Sequence, residues 1–169
     1  MTILRNPRVA FGLAALACAG LLSFGYYLQY VQHLEPCPLC LVQRGFFYAV
    51  GLVCLVAALH GRWRGFYGVL AGLFALGGLG VASRQVWLQH LPADKVPQCG
   101  PDLYFMLENL PLATTLQKLI AGTGECAKVD WTFLGLSIAE WSLACFAALA
   151  AYAAWLAFQR AAAATSSAR

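Results

Sequence analysis

The sequence predicts an all-α membrane protein: a four-transmembrane-helix bundle with short amphipathic helices in its second outward loop, forming a single integral-membrane domain over residues 1–169. Three observations predict it. Of the 169 residues 61% are hydrophobic and 11% charged, with a mean hydropathy of +0.68, too apolar for a soluble domain of this size. Four windows contain no Asp, Glu, Lys or Arg, namely Val9 to Leu34, Gly45 to Gly61, Gly65 to Ser83 and Trp141 to Gln159, and each is about long enough to cross a bilayer. The charges between them sort by loop. The net charge of +4 is spread over several short segments, which disfavours a nucleic-acid function, since a nucleic-acid binder concentrates its cations on one face.

Arg5 and Arg8 precede the first span, Arg62 and Arg64 separate the second from the third, and Arg160 and Arg169 follow the fourth, with no acidic residue in these segments. The positive-inside rule makes these three segments, and so both termini, cytoplasmic. The other two connections carry Glu35, Asp94, Asp102, Glu108, Glu125 and Asp130 with Lys95, Lys118 and Lys128, and face the opposite side. A basic start before an apolar run also fits a cleaved signal peptide, and Ala17-Cys18 faintly resembles a lipoprotein cleavage site. The apolar stretch continues past Cys18 to Leu34, longer than a signal peptide needs, so a retained span is expected.

The first span, about 9–30, ends in Tyr26, Tyr27 and Tyr30, an aromatic belt at headgroup level. A short outward loop, about 31–40, must then reverse the chain. In Pro36-Cys37-Pro38-Leu39-Cys40, Pro38 pushes Cys37 toward extended backbone and suits the first turn of a helix, placing Cys40 early in the second span, about 41–60. The third span, about 65–87, has Gly68 and Gly72 at GxxxG spacing, then Gly77, Gly78 and Gly80, read as close helix packing. Gly78-Leu79-Gly80 lies mid-span with no strand before it, so it is no dinucleotide fingerprint. In the long outward loop, about 88–137, apolar residues such as Leu103, Phe105, Leu110 and Leu116 alternate with Asp102, Glu108, Gln117 and Lys118. That pattern predicts short amphipathic helices on the membrane surface, or the lining of a partner groove, broken at Pro111. The fourth span follows at about 138–158.

Seven cysteines divide by topology. Cys18, Cys54 and Cys145 lie within spans and read as small packing residues, because a thiol in hydrocarbon is seldom ionised. Cys37, Cys40, Cys99 and Cys126 fall on the outward face, two in each loop, which points to an oxidising compartment. Short basic segments with outward thiols fit a bacterial inner membrane facing the periplasm. Cys-x-x-Cys lets two reactive thiols close a small disulfide, and the helix N-terminus beside Cys40 favours its thiolate. Arg44 follows Cys40 by one turn on the same face. Its guanidinium can stabilise a Cys40 thiolate and hydrogen-bond a quinone carbonyl; a snorkelling arginine is the plainer alternative. Cys99 and Cys126 read as a second reactive pair, as a structural disulfide, or, less readily, as part of a zinc site, which usually draws two Cys-x-x-Cys pairs. No metal is expected. His33, His60 and His90 sit near span ends on mixed sides, which suits interfacial side chains better than paired haem ligands.

Together, Pro36-Cys37-Pro38-Leu39-Cys40 with Arg44, the Cys99 and Cys126 pair, and Trp131-Thr132-Phe133-Leu134-Gly135-Leu136-Ser137 before the last span resemble the DsbB family of disulfide-forming membrane oxidoreductases, in order and over essentially the whole chain. The resemblance implies a quinone-dependent thiol-disulfide oxidoreductase that reoxidises a DsbA-type periplasmic dithiol oxidase and passes the electrons to the membrane quinone pool, ubiquinone or menaquinone. It implies that Cys99 of an oxidised Cys99-Cys126 bond takes the partner's attack and that Cys37-Cys40 reoxidises the loop pair. It further implies that Cys40 delivers electrons to the quinone beside Arg44, with Gln85 at the outer end of the third span facing the quinone head. Two alternatives stand beside it. A quinone reductase of the vitamin K epoxide reductase type would carry its Cys-x-x-Cys late in the chain, and a non-enzymatic membrane protein would use its disulfides only as staples.

Overall fold

The computed structural model describes residues 6–92, 95, 111, 114 and 124–166. Cys99 and the stretch expected to form amphipathic helices, apart from isolated positions, lie outside the described residues. Four long helices, α1 (Pro7–Tyr30), α2 (Pro38–His60), α3 (Arg64–Gln89) and α4 (Ile138–Ser166), carry the chain. All four are long and apolar enough to cross a membrane, α4 over Ile138–Phe158. At 1.5 Å per residue, 21 to 26 residues span roughly the 30 Å of a hydrocarbon layer.

Each helix starts and stops where its sequence supplies the chemistry. Asn6 caps α1 by accepting from Arg8 N at 3.1 Å, with Pro7 in the first turn. Cys37, in extended backbone, is the N-cap of α2, and Pro38 follows as its first residue. Gly61, at φ 66°, ends α2 in the left-handed conformation that a glycine adopts without strain. A short 3-10 turn, Gly124–Ala127, then leads to a two-stranded antiparallel hairpin, β1 (Thr132–Phe133) and β2 (Leu136–Ser137), with Thr132 opposite Ser137. Leu134 and Gly135 form its tip with φ of 53° and 81°, the double positive φ of a type I′ turn. The hairpin runs straight into α4 through a capping box: Ser137 N donates to Glu140 Oε2 at 2.7 Å and Glu140 N to Ser137 Oγ at 3.3 Å. Ser137 Oγ also donates to Gln89 Oε1 at 2.8 Å, tying this corner to the end of α3.

The helices pack in a row, α1 on α2, α2 on α3 and α3 on α4, whereas α1 meets α4 at few points. Glycines set the α3–α4 approach, since a Cβ at Gly68 would lie 3.0 Å from Ala157 N and one at Gly78 only 2.3 Å from the Phe146 ring. Between helices in lipid the gain is close van der Waals contact rather than expulsion of water, so small residues at the seam are the driving feature. Ala10, Phe11, Ala14, Cys18, Val50, Cys54, Ala71, Ala75 and Phe146 form the core, while leucines such as Leu16, Leu59 and Leu73 point outward, the pattern a hydrocarbon surround requires. Tyr152 donates to Ala10 O at 3.0 Å and joins α1 to α4 near the end that carries the chain termini. At the opposite end the two helices leave a cleft.

Candidate active site

That cleft is a cavity of about 810 Å³, within the range of small-molecule sites. Leu22, Phe24, Gly25 and Leu28 of α1 form one wall and Ile138, Trp141, Ser142 and Cys145 of α4 the other, with Cys40, Gln43, Arg44 and Phe47 of α2 and Gln85 and Gln89 of α3 between them. The hairpin roofs it: Trp131 meets Phe24 edge-on at 5.9 Å and stacks on Phe133 at 6.0 Å, and Trp141 Nε1 donates to Phe133 O at 3.0 Å. Phe47, stacked on Phe146 at 4.0 Å, lines its deep part.

The extended Cys37 and the helical start at Pro38 bring the Cys37 and Cys40 sulfurs to 2.9 Å. Cys40 N points at Cys37 Sγ at 3.4 Å, so the thiol itself caps the helix. Cys126, wholly buried in the 3-10 turn, packs against Cys37 together with Leu39 and Leu88. Hydrogen bonding to the Cys126 and Cys40 thiols, reinforced by burial, holds the Cys37 thiol well above the ordinary cysteine range. Three of the four cysteines singled out in the sequence therefore form one contiguous cluster; the fourth, Cys99, lies outside the described residues.

Gln85 reaches the sulfurs from α3. Its Nε2 lies 3.3 Å from Cys37 Sγ and 3.2 Å from Cys40 Sγ, and its Oε1 accepts from Gln43 Nε2 at 2.6 Å. Arg44 lines the same cavity, but its guanidinium donates to Gln29 Oε1 and to Gly25 O, the latter at 3.0 Å, and lies over the Tyr26 ring at 4.9 Å. The hydrogen-bond donor at the sulfurs is thus the neutral Gln85 amide, while the arginine lies against α1. Sequence reasoning missed Gln43 and Gln29, and it named Trp131 and Phe133 only within a motif, without a place in the site. The signal available for Gln43 was a polar amide one turn after a reactive cysteine at the head of a membrane span, a costly placement unless it has a partner.

The donor set fits a quinone, since a flat, largely apolar ring needs an aromatic-lined cavity with donors at its edge, and this cavity offers Arg44 and Gln85 beside Cys40. Compared with known proteins, the chain matches the family described as disulfide bond formation protein DsbB over residues 7–156. It is 50% identical to "Disulfide bond formation protein B" of Azoarcus sp. (strain BH72) over 159 residues, 92% of this chain and 95% of that one. The protein of the same description from Hahella chejuensis is 53% identical over 142 residues, 82% of this chain and 86% of that one. The one from Acinetobacter baumannii is 48% identical over 156 residues, covering 90% and 91%. A family match spanning nearly the whole chain, relatives about half identical, and a Cys-x-x-Cys that opens the second of four spans rather than a late one agree. The chain belongs to the DsbB family of multi-pass bacterial inner-membrane proteins, the quinone-linked oxidoreductases that form disulfide bonds.

Proposed function

We propose that this protein carries electrons from a periplasmic DsbA-type dithiol through Cys99 and Cys126 to Cys37 and Cys40, and from Cys40 to the membrane quinone pool. The observation that carries the reading is the contiguity of Cys126, Cys37 and Cys40 at the edge of an apolar cavity. The partner's thiolate attacks Cys99 of the Cys99–Cys126 disulfide, and the partner's second thiol resolves the mixed disulfide. The partner leaves oxidised and Cys99 and Cys126 are left reduced.

Cys126 is packed against Cys37, so its thiolate attacks the Cys37 sulfur of an oxidised Cys37–Cys40 pair. The Cys126–Cys37 bond forms, the Cys37–Cys40 bond breaks, and Cys40 leaves as thiolate with the electron pair. Cys99 then attacks Cys126, restoring the Cys99–Cys126 bond and returning a thiol to Cys37. Cys37 and Cys40 finally give up two electrons and two protons and close their disulfide. A bound quinone supplies the matching two-electron, two-proton acceptor. Arg44 would hold its carbonyl edge, and the aromatic roof and Phe47 would enclose its ring in the cavity between α1 and α4.

The orientation that serves this relay puts the cysteine end in the periplasm and both termini in the cytoplasm, and the arginine distribution supports it. In membranes carrying Cys40→Ser, quinone-dependent reoxidation of a reduced DsbA-type partner is expected to be abolished; reoxidation at the normal rate would refute the reading.

A further inference from the structure

A primary amide beside a sulfur has two opposite ends: the NH₂ group attracts a thiolate and the oxygen repels one. Gln85 can reach the sulfurs with either end. Its Nε2 is 3.2 Å and its Oε1 3.6 Å from Cys40 Sγ. Something must choose between the two orientations, and that something is on α2. Gln43 Nε2 donates to Gln85 Oε1 at 2.6 Å, which occupies the oxygen and leaves the NH₂ group for Cys37 and Cys40. Each glutamine side chain is only 3% exposed, so water does not compete for either amide.

We propose that Gln43 is a positioning residue that fixes the Gln85 amide with its NH₂ toward the sulfurs, so that Gln85 receives the Cys40 thiolate when the Cys37–Cys40 disulfide opens. The proposal rests on the relay above. In the step where Cys126 bonds to Cys37 and the Cys37–Cys40 bond breaks, the electron pair goes to Cys40 Sγ, and an N–H already aimed there needs no reorganisation to hold it. Hydrogen bonds to a charged group are the strong ones, the more so away from water. The other ionisable groups facing this sulfur are Cys37 from the first loop and Cys126 from the 3-10 turn. Arg44 on α2 donates one hydrogen bond each to Gln29 and Gly25 of α1, and Cys145 lines the cavity from α4. A neutral donor suits this place, because it stabilises the anion without adding a second permanent cation, beside Arg44, to a cavity that must admit an uncharged ring.

The plainer role for the pair is to tie α2 to α3, and three variants of the full-length protein separate the two. Gln43→Met keeps length and removes the donor. Gln43→Glu keeps shape, but an ionised carboxylate accepts where the amide donated and turns the Gln85 NH₂ toward itself. With the reduced protein in lipid nanodiscs, iodoacetamide alkylation of Cys40 is followed against pH. Both variants are expected to slow it about tenfold at fixed pH, which is a displacement of the profile to higher pH by about one unit. Combined with Gln85→Leu, Gln43→Met should add no further displacement, since its effect passes through that amide. A pair that only ties the helices would lower thermal stability and leave the profile where it was. An unmoved profile in both single variants overturns the proposal, as does an additive displacement in the double variant. The alkylation assay needs neither partner nor quinone, so a failure here is distinct from a failure of the relay, which Cys40→Ser reports.

Discussion

Cys37 and Cys40 carry the same side chain three residues apart, yet the first turn of α2 gives them different chemistry. Cys37 lies before the helix, between two other thiols, and the hydrogen bonds it donates to Cys126 and Cys40 keep it protonated above the ordinary value of 9.0. A raised value favours the thiol form, so in the reduced protein the rate of Cys37 alkylation should show no rise as pH passes through about 9, where a free cysteine ionises. Unfolding in detergent should restore that rise, and mass mapping of the alkylated residue would read both. A Cys37 that ionised at the ordinary pH in the folded protein would mean that its thiol neighbours are not there. Arg44 lies one turn further along α2, with its guanidinium against α1. Arg44→Ala removes a charged donor whose hydrogen bond is worth about 1.5–3 kcal/mol, so the apparent KM for quinone should rise about tenfold or more while thiol exchange with the partner is unchanged. An unaltered KM would contradict its assignment. Cys37, Cys40 and Cys126, which the structure brings together, and Arg44, which lines the cavity beside them, could be picked from the sequence because spacing and loop position single them out. Gln43 could not, because one glutamine in an apolar run does not reveal which amide it meets on another helix.

The elements were legible where local chemistry decides them. Pro38 after Cys37 fixes the head of α2, and the charge-free windows fix the cores of all four helices. α1 and α4 begin before their windows, because Asn6 and the Ser137–Glu140 capping box satisfy backbone groups at their starts, whereas α1 ends at Tyr30, short of Leu34. The hairpin was visible only as a motif, since its two-residue strands are too short to show an alternating pattern. It stands because Leu134 and Gly135 take the turn and Trp141 holds Phe133 O. Ser137→Ala removes both the helix cap and the link to Gln89, and should cost about 1 kcal/mol. Its thermal midpoint in detergent would show this, and no change would mean that the box is not formed. The glycines of α3 were readable as packing residues, but which partner each met was not. Gly78→Leu forces a side chain into the Phe146 ring and should destabilise by about 1–3 kcal/mol, whereas Gly80→Leu, with open space around it, should not. Equal midpoints for the two variants would contradict the α3–α4 packing described.

For the molecule as a whole, the row-like packing of the helices is what makes a site possible. Had α1 closed on α4 along its full length, Cys40 would face protein; because they part at the cysteine end, it faces an 810 Å³ cavity between them. That arrangement was not legible in the sequence, where four apolar segments of similar length say nothing about which pair stays apart. In the proposed relay one assembly joins two solvents: thiols that exchange with a soluble protein, and a cavity beside them for a lipid-soluble acceptor. The most direct test of that junction is single-turnover oxidation of a reduced DsbA-type protein by the purified protein in nanodiscs, with and without added quinone, trapping free thiols at Cys37, Cys40, Cys99 and Cys126 over time. The account predicts that without quinone the protein oxidises the partner until both its own pairs are reduced and then stops, and that added quinone reoxidises Cys37 and Cys40 ahead of Cys99 and Cys126. Thiols that never change state, or a loop pair that reoxidises while Cys37 and Cys40 stay reduced, would contradict it.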